Sequence, residues 1–177
     1  MNYLRDNTYG VDTELQKIQT YLYNKINGRF SFTDFDSYGR VYKNKKSGLV
    51  IPEYYVSNRD YKEVLLDDRR SGIMFFSTND SADINGSLIT QDCDLLFSIN
   101  LASLGVTDDM DDEKIRQIVV SFLRTYNQRE DFVKQITTKL EKVYSEFNGV
   151  SNYFYDMQDY HHFKIKLGLR YNNINCI

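Results

Sequence analysis

Residues 162–171 admit one backbone state. Phe163, Ile165, Leu167, Leu169 and Tyr171 alternate with His162, Lys164, Lys166, Gly168 and Arg170, a period of two that fits a strand with one dry face and one wet face. Such a strand cannot stand alone, because its backbone needs neighbours and its apolar side needs a cover. A second segment, 94–103, behaves in the same way: Leu95, Phe97, Ile99 and Leu101 alternate with Leu96, Ser98, Asn100 and Ala102. It reads as a central strand with one core face. The wet face of 162–171 carries Lys164, Lys166 and Arg170 and is basic.

The covers come from amphipathic helices. Val11, Leu15, Ile18, Leu22 and Ile26 form one stripe, with Asp12 placed to cap the start and Asn27-Gly28 to stop the helix. Ile115, Ile118, Val119, Phe122, Leu123 and Tyr126 form another over 111–126, behind the acids Asp108, Asp109, Asp111, Asp112 and Glu113 at the positive end of the helix. A third stripe, Phe132, Ile136, Leu140, Val143, Tyr144 and Phe147, predicts a helix over 130–147 ended by Asn148-Gly149. Residues 29–37 have no clear period and read as a loop. Between 38 and 77 the chain turns to short runs rich in Val, Ile and Tyr. Residues 40–43 and 49–51 read as a hairpin with a basic tip at 44–48, and Pro52, the only proline, ends the second strand or places it at an edge. Residues 61–66 and 72–77 read as a second hairpin around the charged turn 67–70. These elements predict an α+β fold, a two-layer sandwich in which a mostly antiparallel sheet is covered by about three helices. A length of 177 residues without a Pro/Gly/Ser linker suits one domain, 1–177.

A net charge of −3 gives no global positive field for nucleic acid or anionic lipid. The longest apolar runs are far too short to span a bilayer, and the first residues lack the apolar core of a signal peptide. Cys93 and Cys176 have neither paired-thiol nor zinc spacing, which suits a reducing, intracellular setting. No glycine-rich phosphate loop occurs. His161 and His162 are adjacent on a strand and point to opposite faces, so they cannot share a metal or a proton. Either would need an orienting carboxylate, for which Asp156 or Asp159 is at hand. Residues 81–92 match an EF-hand loop in part, with Ser81 in place of the first carboxylate and Asp92 in place of the bidentate glutamate, so a long hairpin loop is the better reading. The acids at 108–113 are explained by the helix dipole and lack a distant ligand to complete a metal site. Neither a metal nor a cofactor is expected.

The order helix 11–26, strand pairs across 40–77, strand 94–103 running into helix 111–126, and final strand 162–171 resembles that of tail-terminator and neck-ring proteins, the head-to-tail connectors of tailed bacteriophages. The abundance of Tyr, Asn, Lys and Ile is similar to that of crAss-like phages; the extra helix 130–147 departs from compact terminators. The resemblance implies a structural virion protein and not an enzyme. It would be made in the host cytoplasm and built into a ring around the DNA channel between portal and tail. Its partners would be copies of itself and neighbouring portal, neck or tail proteins, with DNA only as channel contents. Either Lys43, Lys45 and Lys46 or Arg69 and Arg70 would then meet the acids Asp108, Asp109, Asp111, Asp112 and Glu113 of a neighbouring copy, while His162, Lys164, Lys166 and Arg170 would lie toward the channel or its DNA. Two other classes compete. One is a metal-dependent nuclease or hydrolase built on residues 108–112 with His161 or His162, and the other is a small protein-binding module.

Overall fold

The computed structural model describes residues 1–30, 32, 34–57, 60–64, 69–104, 112–149 and 160–172. In chain order these form β1 (Asn2–Tyr3), α1 (Val11–Phe30), β2 (Phe35–Lys46), β3 (Leu49–Ser57), β4 (Asp60–Glu63), β5 (Gly72–Thr78), β6 (Asp83–Asn85) and β7 (Leu88–Asn100). A 3₁₀ turn (Leu101–Leu104), α2 (Asp112–Tyr126), β8 (Val133–Thr137), α3 (Leu140–Val143) and β9 (Tyr160–Asn172) follow. One nine-stranded sheet runs β4-β3-β2-β5-β7-β9-β8, with β1 beside β2 and β6 beside β7. The β1/β2 and β2/β5 pairs are parallel and all others antiparallel. The expected α+β class, with a mostly antiparallel sheet and three helices, is what the chain forms.

The two alternating segments are the spine of this sheet. β7 and β9 pair along their whole length, from Leu88 opposite Asn172 to Asn100 opposite Tyr160. Leu95, Phe97 and Ile99 of β7 and Phe163, Ile165, Leu167 and Leu169 of β9 lie in one core with α1 and α2. The opposite face is also covered. Leu96, Ile73, Phe75, Val41 and Tyr54 meet Val143, Tyr144 and Phe147 in a second, smaller core. That second cover explains the main departure from the expected elements. Phe132 is buried in the first core and Phe147 in the second, and one straight helix over 130–147 cannot reach both faces of a sheet. Val133, Ile136, Thr137 and Thr138 are β-branched, which suits a strand, so the segment extends the sheet as β8 and then crosses to α3. Gly168 lets the chain enter β8 close against β9: a Cβ there would stand 2.5 Å from the Asp131 carbonyl, and its N–H donates to the Phe132 carbonyl at 2.9 Å.

The second hairpin expected over 61–77 does not form. β4 pairs with β3, whereas β5 lies between β2 and β7. Burial decides this, since Ile73, Met74, Phe75 and Phe76 are all buried and require neighbours and cover on both sides, while all four residues of β4 are exposed and suit an edge. β3 continues beyond Pro52 to Ser57. The Val64 N–H still donates to the Pro52 carbonyl at 2.9 Å, and the proline offers no N–H in return, so the ladder between β3 and β4 stops there. The β2–β3 turn is tighter than expected, with Ser47 (φ 52°) and Gly48 (φ 82°) both left-handed as a two-residue hairpin turn requires. Residues 29–37 are not a loop throughout: α1 runs past Asn27-Gly28 to Phe30, and β2 begins at Phe35. The stacked and tilted rings of Phe30, Phe32 and Phe35 bury enough surface to outweigh the ~1 kcal/mol that Gly28 costs a helix.

Gln19 fixes α1 to the sheet. It is fully buried, and its Nε2 lies 2.8 Å from Asn2 Oδ1 and 2.9 Å from the carbonyls of both Tyr3 and Ser37. Gln19→Leu keeps the shape but strips the buried Ser37 carbonyl of β2 of the Gln19 donor, while the Tyr3 carbonyl of β1 keeps only the Tyr54 hydroxyl at 3.2 Å. The expected loss is about 2 kcal/mol, read as a lower urea midpoint at unchanged slope. A loss under about 0.5 kcal/mol would mean that water or a shift of β1 replaces the amide.

Candidate functional site

The residues singled out in the sequence fall into four places. At the far end of the β2–β3 hairpin, Lys43 pairs with Glu146 at 2.9 Å and Lys46 with Glu63 at 3.0 Å, while Lys45 is exposed. Burial pushes the Glu146 carboxyl up, but hydrogen bonds from Lys43 and Ser77 outweigh it and hold the group below the usual carboxylate range. Before β5, Arg69 is exposed in a turn and Arg70 leans on Asp34 and Asp36 at 3.4 and 3.5 Å.

At the start of α2, Arg116 gathers the local charges. Its Nη1 donates to Asp112 at 2.8 Å and lies 2.8 Å from His161 Nε2, and its Nη2 donates to Glu113. The Arg116 hydrogen bond holds the carboxyls of Asp112 and Glu113 below their ordinary values. Burial, aided by Arg116, lowers the His161 pKa. A divalent cation would have to displace a guanidinium from these carboxylates, and among the described residues no group of three or more His, Cys, Asp or Glu side chains is placed to hold a metal. Asp108, Asp109 and Asp111 lie outside the described residues, as do Asp156, Asp159 and Cys176.

The fourth place is the face of β9 opposite α1 and α2. His162 is buried there instead of standing on the exposed part of that face. Its Nδ1 is 2.8 Å from Ser98 Oγ, which is also hydrogen-bonded to the Tyr144 hydroxyl. Burial pushes the Tyr144 pKa up and lowers that of His162 to about 4. With the imidazole neutral, Nδ1 can accept from the Ser98 hydroxyl while that hydroxyl accepts from Tyr144, or the opposite tautomer can run the chain in reverse. A serine and a histidine at this distance can act as nucleophile and base, but Ser98 is fully buried, and the cluster serves to satisfy polar groups beneath the second core. Lys164 pairs with Asp94 at 3.0 Å, and Arg170 with Asp131. Lys166 has no carboxylate partner among the described residues.

The histidines do face opposite ways, as the strand period requires. The EF-hand-like segment 81–92 is a hairpin: β6 pairs with β7 across Gly86-Ser87, and Lys134 neutralises Asp92 at 2.6 Å. Cys93 is fully buried, and burial pushes its thiol pKa well up. Two features escaped the sequence reading. Tyr144 joins His162 only because α3 crosses the sheet, and the Ser98 side of the contact follows from register, since Ser98 pairs directly with His162. The other is the edge strand β8, whose signal is the β-branched content of 133–138.

Among the described residues no helix is long and apolar enough to cross a membrane. No protein-family model matches the chain, and no curated protein matches its sequence.

Proposed function

We propose that the chain is a structural subunit that joins copies of itself, edge to edge through its sheet, into a ring of the phage neck or tail. The observation that carries this reading is the pair of unlike edges that no strand covers among the described residues. β4 presents four exposed residues at one end of the sheet, and β8 presents Lys134, Gln135 and Ile136 at the other. Each edge also displays an apolar side chain, Tyr61 at 39% exposure and Ile136 at 42%. An unpaired edge is a template for another strand. Two different edges meeting head to tail form a heterologous contact, which closes into a ring when the rotation allows. The reading rests further on the resemblance in element order. It changes the expected role of the charges, because Lys43, Lys46, Arg70 and Asp112 already have partners within the chain, and exposed pairs of this kind contribute only ~0 to 1 kcal/mol. In this reading they stiffen the subunit, Lys45 remains for a neighbour, and the protein is not an enzyme.

The test is sedimentation of the purified chain across a concentration series, with electron microscopy of the most concentrated sample. Species larger than the monomer and closed rings are expected. Ile136→Lys places a charge on the β8 edge and is expected to return the protein to monomer with its circular dichroism unchanged. A wild-type chain that stays monomeric throughout, or rings that survive both Ile136→Lys and Tyr61→Lys, would overturn the edge-to-edge reading.

A further inference from the structure

Beside the buried histidine cluster, the same face of the sheet holds a polar hollow of about 270 Å³. Its floor is β7, β9 and β8, where register sets Asp94 beside Lys166 and Lys164 beside Thr137. Its wall is α3 and the turn after it, which bring in Lys142 and Ser145. Three lysines thus line one small space with a single acidic residue. Asp94 Oδ2 pairs with Lys164 at 3.0 Å, both side chains largely buried, while Asp94 Oδ1 has no hydrogen-bond partner among the described residues. Glu146, the next carboxylate along the turn, is held by Lys43 and Ser77. Lys142 and Lys166 are left without a carboxylate partner among the described residues.

We propose that this hollow binds a phosphate group, as free phosphate or as the terminal group of a phosphoester, between Lys142 and Lys166. Two point-charge ammonium donors match a group carrying close to two negative charges near neutral pH. The Thr137 hydroxyl lines the same space and can donate to a third oxygen. The volume is below the usual range for whole small-molecule ligands, ~300 to 1,000 Å³, so the hollow suits the phosphate head and not a complete nucleotide. Lys164 positions Asp94 and holds the floor, whereas Lys142 and Lys166 bind. The proposal does not depend on ring assembly.

Calorimetric titration of the full chain with inorganic phosphate tests it, in a chloride buffer near pH 7.5. Saturable binding with a dissociation constant of about 1 mM is expected. Lys166→Gln should weaken it about tenfold or more and Lys142→Gln severalfold, while Lys166→Arg and Lys139→Gln should leave it within about twofold. Glycerol phosphate binding like phosphate, with glycerol silent, would assign the site to a terminal phosphate. Duplex DNA that binds only when Lys166 is present would assign the source to the nucleic-acid backbone. No saturable binding by the wild type up to about 20 mM phosphate, or equal binding by Lys166→Gln, overturns the proposal.

Discussion

Phe97→Ala is expected to cost about 3 to 5 kcal/mol, a large part of the ~5 to 15 kcal/mol that holds a typical domain together. Phe97 is fully buried on β7 and stacks on Phe163 of β9, ring centroids 4.8 Å apart at 14°. Its partners in register are Met74 on one side and Phe163 on the other, both fully buried. Truncation therefore opens a cavity between three central strands whose side chains are already held by paired backbones, and little can move in to fill it. Phe97→Leu leaves a smaller void and should recover roughly half of the loss. Urea unfolding at constant slope measures both variants. A cost below about 1 kcal/mol for the alanine variant would mean that this face is loosely packed, and the placement of α1 and α2 over it would have to be reconsidered.

The residues that make Phe97 critical are also those most legible in the sequence. Where one face is apolar and the other is not, the period of two leaves a single solution, as at 162–171, and α2 with its acidic first turn is legible for a similar reason. Legibility failed where a segment serves both faces of the sheet. Residues 130–147 show a helical spacing of apolar side chains, yet Phe132 and Phe147 belong to opposite cores, and nothing local marks the point where the chain crosses. The β2/β5 pairing failed for another reason. Adjacent runs separated by a charged turn favour a hairpin, but β5 is apolar on both faces and takes the centre, which sends β4 to the edge. Pattern reports which residues want burial; the number of faces to be buried is a property of the whole sheet.

The candidate sites were legible as residue types and not as partnerships. Lys43 finds Glu146 at a separation of 103 positions and Ser98 finds His162 at 64. Most charged residues of those clusters that are described, Lys43, Lys46, Arg70, Asp112 and Glu113, are therefore paired within the fold. What remained visible was the basic composition of β9, because alternation alone puts Lys164 and Lys166 on one face. Which of the two is committed to Asp94 and which is left over depends on a diagonal contact across β7 and β9, and this has no signature in either strand taken alone.

His162 should make the fold acid-sensitive, by an amount that a single substitution isolates. Burial lowers its pKa from the ordinary 6.5 to about 4, with His161 adding in the same direction. The folded state thus keeps the imidazole neutral in a range where the unfolded chain protonates it. Between pH 6.5 and 4 the unfolded state binds more protons, so stability falls as the pH is lowered. The contribution is complete above about pH 6.5 and most of it is lost by pH 4, a change of about 3 kcal/mol. Carboxylates such as Asp112 and Glu146, held below their usual range, weaken the fold at lower pH in wild type and variant alike. His162→Gln keeps a polar partner for Ser98 without the titration. Its stability near pH 7 should fall modestly, and its loss between pH 7 and pH 4 should be smaller than that of the wild type by about 3 kcal/mol. Urea titrations at a series of pH values give both curves. If they run parallel, His162 titrates normally, and the Ser98–Tyr144 side of β9 must admit water, which would also undo the distinction drawn between a dry histidine cluster and the wet lysine hollow beside it.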